Sequence, residues 1–139
     1  MPSKLAAWLH REGVTQADLA RTLGIHRSNV TSWLASTKRP HLILAARIQL
    51  ETNGDVPVEE WGYSPLRTMS DGSIAVLGHA IRKRLGVLNA ARYFGISPIT
   101  VRHILSGVYV PKPHTIHRLN RRLAEPVSQA DFIKDAQHV

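Results

Sequence analysis

Cysteine is absent from the 139 residues. That removes disulfide frameworks, thiolate zinc sites, iron–sulfur clusters and cysteine nucleophiles together. Aromatic residues are scarce, at 6%, so a core must rest on Leu, Ile, Val and Ala. Long apolar runs are missing too. None approaches the ~18–20 residues of a membrane span. The opening stretch Met1–Arg11 is apolar for only a few residues before charge returns, which does not read as a signal peptide. A soluble, cytoplasmic protein without membrane association is expected. Acidic residues are few: ten Asp and Glu face eighteen Lys and Arg, a formal charge of +8. Such a surplus points to a polyanionic partner, with nucleic acid first and anionic membrane second. Hydrophobic residues at 43% are enough to build a core.

The charge is placed unevenly. Residues 1–50 carry seven basic and two acidic side chains; residues 51–66 carry four acidic ones and no Lys or Arg; residues 67–139 carry eleven basic and four acidic. The basic, acidic, basic order fits two cationic modules with a segment between them that does not touch the polyanion, or equally a merely solvated turn region. Asn53-Gly54-Asp55, Pro57, Gly62, Pro65 and Asp71-Gly72 punctuate that middle. Trp61, Tyr63 and Leu66 among them imply that part of it packs on a module.

An internal repeat organises the chain. At an offset of 71 positions, Ala20, Arg21, Gly24, Ile25, Val30, Leu34, Pro40 and Arg47 meet Ala91, Arg92, Gly95, Ile96, Val101, Leu105, Pro111 and Arg118. The matches run without a gap, which argues for two structural copies. In the first copy, Ser3 caps a helix with Leu5, Trp8 and Leu9 on one face, and Gly13 ends it. Thr15 caps a helix from Gln16 to Leu23. Gly24 stops it where positive φ costs glycine little, and Ile25 plugs the turn. A third helix runs from about Arg27 to Leu34, and a fourth from His41 to about Glu51 after Pro40. In the second copy, Ser70 or Asp71 caps a helix through Arg84; Leu88–Phe94, Pro98–Leu105 and His114–Leu123 follow. Phe132, Ile133 and Ala136 suggest a short tail helix, a place for contacts between chains. The fold class is therefore all-α: two small helix-turn-helix bundles of four to five helices each, residues 1–66 and 67–139, joined by a short linker.

Residues 15–34 form a helix-turn-helix pattern. Ala20 is small where two helices cross, Gly24 turns, and Ile25, Val30 and Leu34 bury the seam. The outer face of the third helix keeps Arg27, Ser28, Asn29, Thr31 and Ser32. These short or forked hydrogen-bonding side chains suit a major groove, where Arg grips guanine and Asn grips adenine. Residues 3–61 resemble the Cro/repressor-type (XRE) helix-turn-helix family of bacterial and phage regulators. Gln16, Ala20, Gly24, Val30 and Leu34 match its pattern, as does Thr37-Lys38-Arg39-Pro40; residues 73–123 resemble it more weakly. The resemblance implies operator DNA as ligand, with Gln16 clamping a phosphate, Arg27, Ser28, Asn29, Thr31 and Ser32 facing bases, and Lys38 and Arg39 touching backbone. It also points to a phage, plasmid or other mobile-element origin.

The second copy departs from the pattern. Val87, Pro98 and Ile99 stand where Gln16, Arg27 and Ser28 stand in the first. Either it still binds DNA, with Thr100, Arg102 and His103 reading bases and Lys112, His114 and Arg118 near phosphate, or that face has become a dimer or partner interface. Its net positive charge favours DNA. Arg82-Lys83-Arg84 and Arg121-Arg122 fit phosphate contact or solvated helix ends alike. His114 and His117 are three apart on a helix, but no third ligand accompanies them, so no metal and no cofactor is expected. No Ser-His-Asp set, paired carboxylates or glycine-rich phosphate loop marks an enzyme, and no small-molecule substrate is evident. The expected function is a double-stranded-DNA-binding transcriptional regulator, a repressor and a homodimer. The alternatives are an architectural or DNA-packaging protein, or a regulator that also binds RNA.

Overall fold

Short polar side chains set the helix starts. Ser3 accepts from the Ala6 amide at 3.0 Å and opens α1, Lys4–Glu12. Thr15 opens α2, Gln16–Leu23, through a capping box: its hydroxyl accepts from the Asp18 amide, and the Asp18 carboxylate accepts from the Thr15 amide. Two caps are imidazoles, which sequence reading did not anticipate. His26 accepts from the Ser28 amide to start α3, Arg27–Leu34, and His41 accepts from the Leu44 amide to start α4, Leu42–Glu51.

The structure, a computed structural model, describes residues 3–107 and 109–133. Among these there are eight α-helices, three short 3-10 turns and no strand. None of the helices is long and apolar enough to cross a membrane. By internal contacts the chain divides into two compact units, Met1–Ser64 and Pro65–Val139.

In the first unit, Leu5 and Leu9 of α1, Leu19, Ala20 and Leu23 of α2, Val30 and Trp33 of α3, and Ile48 of α4 bury one cluster, with Val56 closing it. The acidic segment therefore belongs to this unit. Val56 and Val58 are fully buried, and complete burial of each contributes roughly 1.5–3 kcal/mol. A 3-10 turn, Val58–Trp61, lays Trp61 edge-on to Trp33 at 6.3 Å. The Gln49 side chain accepts from the Val58 amide and holds this return segment down.

In the second unit, a 3-10 turn at Leu66–Thr68 precedes α5, Asp71–Arg82, capped by Ser70. Then come α6, Val87–Phe94; α7, Pro98–Leu105, capped by Ser97; and α8, Pro113–Asn120. Two helices end earlier than the hydrophobic pattern suggests. The first is α5, which stops at Arg82 because Arg84 turns left-handed, with φ 55°, and the Leu85 amide reaches back to the Ala80 carbonyl. The second is α8, which stops at Asn120, whose side chain both donates to the Val127 carbonyl and accepts from its amide, folding the chain back. In the tail a 3-10 turn spans Gln129–Phe132 and buries Phe132 against Gly72, where a Cβ would lie 2.6 Å from the ring. Ile133 is exposed, and Ala136 lies outside the described residues.

The offset of 71 holds in the backbone. α2 and α6, and α3 and α7, span corresponding residues. Gly24 and Gly95 adopt nearly the same left-handed geometry, φ 70° and 71°. The correspondence also extends past the sequence matches: Val58–Trp61 and Gln129–Phe132 are both 3-10 turns ending in a ring, and Gln49 and Asn120 both tie down the return segment.

Candidate nucleic-acid interface

Alternation of inward and outward residues sets the outer face of α3. Val30 and Trp33 are buried, while Arg27, Ser28, Asn29 and Thr31 are exposed and Ser32 is half-buried. No acidic residue lies on this helix. Gly24 donates to the Ala20 and Arg21 carbonyls, and the Ile25 amide follows onto Ala20 at 2.9 Å. This turn fixes where α3 begins.

Two neighbours organise the face. Thr31 donates its hydroxyl to Gln16 Oε1 at 2.8 Å, joining α3 to the first residue of α2. The bond occupies Gln16 Oε1 and leaves its amide donors for another oxygen. His26 Nδ1 lies 2.8 Å from the Ser28 hydroxyl, so the cap also orients a residue expected to face bases. In the first turn of α2, hydrogen bonds from the Thr15 side chain and backbone, then from Arg21, hold the Asp18 carboxyl below the usual carboxylate range.

Lys38 and Arg39 differ in how they are held. Lys38 is exposed. Arg39, also exposed, donates to the Trp61 carbonyl at 3.0 Å, and its guanidinium sits 4.3 Å above the Tyr63 ring. Tyr63 in turn donates to the Pro40 carbonyl at 2.7 Å; burial raises its phenol above the ordinary value, and the Arg39 charge partly offsets this. The acidic return segment thus braces Arg39.

The equivalent face of the second unit is different. Ile99 on α7 and Leu88 on α6 are both 61% exposed. Val87, in the place of Gln16, has no polar group for Arg102, which replaces Thr31. Thr100 turns back to Ser97, their hydroxyls 2.8 Å apart. Arg102 is exposed, and His103 is exposed with its ring 5.2 Å from Tyr109. Lys112 is the backbone cap of α8, and His114 follows in its first turn; both are exposed. Arg118 is drawn elsewhere, donating to the Gly95 carbonyl at 2.7 Å. Among the described residues, no group of three or more His, Asp or Glu side chains is placed to hold a metal.

No protein-family model, no curated protein and no solved structure matches this chain.

Proposed function

We propose that the chain is a sequence-specific DNA-binding regulator, most simply a cytoplasmic repressor, built as two helix-turn-helix bundles of which the first is of the Cro/repressor type. The observation that carries this reading is the outer face of α3. Arg27, Ser28, Asn29 and Thr31 stand in solvent with no carboxylate among them, on a helix whose other face is buried. A helix with forked donors and short hydroxyls can enter a major groove, where Arg and Asn match guanine and adenine edges. Gln16, whose amide donors the Thr31 bond leaves unused, suits a phosphate beside the groove, and Lys38 and Arg39 suit the backbone. One such helix reads few base pairs, so the working form is a homodimer, with half-sites about one helical turn apart.

Selection of bound duplexes from a random pool tests the reading. Arg27→Ala should cost about 1–3 kcal/mol at one operator position and relax preference there; Lys38→Ala should weaken binding to all sequences and lower the salt slope by about one. Failure to prefer any selected duplex over scrambled competitor would overturn the proposal, and equal affinity for RNA of matched length would redirect it.

A second reading applies to the second unit alone. Leu88 and Ile99 are large, apolar and exposed on adjoining helices, which favours a protein contact over a DNA one. If α7 reads DNA, Arg102→Ala weakens duplex binding. If it is an interface, Ile99→Asp disrupts dimers while Arg102→Ala leaves DNA affinity unchanged.

A further inference from the structure

Arginines from α6, from α8 and from the residues just after α8 gather at the C-terminal end of α6, more of them than capping that helix requires. A shallow open pocket of about 330 Å³ lies there, lined by Tyr93, Gly95, Arg92, Arg118, Arg121 and Arg122 among others, and by no carboxylate. Two of the guanidiniums are fixed in place. Arg118 donates from Nη1 to the Gly95 carbonyl at 2.7 Å; Arg122 donates from Nε to the Tyr93 carbonyl at 3.2 Å and lies 5.1 Å from the centre of the Tyr93 ring. Each guanidinium has five N–H donors, so most remain free. Among the described residues, the guanidiniums of Arg92 and Arg121 make no hydrogen bond or ion pair.

The first unit supplies an internal control. At the offset of 71, Arg92 corresponds to Arg21, Arg118 to Arg47, Arg121 to Leu50, Arg122 to Glu51, and Asn89 to Asp18. There Arg21 pairs with Asp18 at 3.1 Å, and Arg47 is buried, with both Nη atoms on the Leu23 and Thr22 carbonyls. That corner holds two arginines against two carboxylates; its counterpart holds four arginines and none. Closing the end of the helix takes one arginine. Gathering four unneutralised guanidiniums costs like-charge repulsion that an anion would relieve.

The chemistry selects the anion. Forked guanidinium donors match phosphate oxygens bidentately. The Tyr93 ring is already taken up by Arg122 and by His79, stacked at 5.4 Å, so a nucleobase finds no free aromatic platform. We propose that Arg92, Arg118, Arg121 and Arg122 form a phosphate-binding site for adjacent phosphates, distinct from the outer face of α7, none of whose residues lines it. The phosphates come from a nucleic-acid backbone or from a free polyphosphate. The site stands on the second unit's own geometry and does not require base reading by α3.

Titration calorimetry on the full chain with tripolyphosphate, at constant ionic strength, tests the proposal. Arg92→Ala with Arg121→Ala should weaken binding roughly ten- to a hundredfold, as loss of charge-assisted hydrogen bonds predicts. Arg121→Leu with Arg122→Glu, which restores the first unit's residues, should do the same. The charge-matched pair Lys4→Ala and Arg11→Ala, in the first unit, should change binding by no more than about twofold, the scale of screened surface charge. A parallel titration with a scrambled duplex separates the sources. If the arginine pair lowers duplex affinity and its salt slope by about two, the backbone is the source; if only tripolyphosphate binding falls, a free polyphosphate is. Equal losses in the control pair, or no loss of either ligand in both arginine variants, would overturn the site. None of these readouts depends on preference for a selected operator, so failure here and failure of the base-reading proposal are told apart.

Discussion

Position 13 is glycine and its counterpart, position 84, is arginine, yet both take the left-handed backbone that ends the first helix of their unit. Trp8 in the first unit corresponds to His79 in the second, a buried imidazole packed on Tyr93 and Phe94. Gln16 bonds Thr31; Val87 offers Arg102 nothing. What the two units keep is small: a glycine turn between the second and third helices, an arginine capping carbonyls at the end of the second, an amide tying down the return segment, and a ring closing the core. Core positions are refilled with other apolar side chains, as at Leu5 and Val76, Leu19 and Ala90, Leu23 and Phe94, and Trp33 and Ile104, while outer faces change in chemical class. The scaffold therefore constrains the interior and leaves surface chemistry free.

Indole fluorescence makes the comparison measurable, because Trp8, Trp33 and Trp61 all lie in the first unit, while helical circular dichroism follows both. The largest contrast is expected at the ring that closes the second core. Phe132 is buried, so Phe132→Ala should cost about 3–5 kcal/mol, lowering a dichroism transition while the indole transition stays in place. Coincident shifts of both signals would show that the units do not unfold separately. Next comes the shared arginine. Arg47 is 8% exposed and satisfies two carbonyls; its replacement by Ala should cost about 2–3 kcal/mol, against under about 1 kcal/mol for exposed Arg118. Equal losses would refute the difference in burial. Smaller still is the helix end. Arg84→Gly should stabilise the second unit by about 1 kcal/mol, and Gly13→Ala should destabilise the first by a similar amount, both read as shifts in midpoint.

The smallest effect depends on pH. Burial, then the charges of Arg82 and Lys83, lower the pKa of His79 below its ordinary value of 6.5, and among the described residues its Nδ1 has no partner. In the window between the folded and unfolded values only the unfolded chain takes up the proton. Stability is therefore full above about 6.5 and falls as pH drops toward the folded value. His79→Phe should flatten that slope in the second unit's transition. A parallel decline in the variant would assign the slope to other groups.

Much of the helical frame was legible from caps and periodicity. Ser3, Thr15 and Ser97 announce their helices, Gly24 and Gly95 their turns, and the alternation of Val30 and Trp33 with polar neighbours separates the two faces of α3. Three kinds of feature escaped. His26 and His41 cap through Nδ1, a role for which imidazole has little statistical signature. The return segments were legible only in part: Trp61 and Tyr63 implied that the middle packs on a module, but turn residues mask the buried anchors Val56, Val58 and Phe132. The arginine pocket needed chain folding to bring Arg92 beside Arg121 and Arg122. The sequence offered Arg118 and Arg121-Arg122 as phosphate contacts, but the contrast that sets them apart, Leu50 and Glu51 against Arg121 and Arg122, lies just beyond the last identity that defined the repeat.

Trp61 packs on the core of the first unit, and the buried Phe132 lies in the core of the second. A gene that doubled such a block would inherit two watertight vessels, and the spare could exchange its outer paint, charge by charge, without leaking.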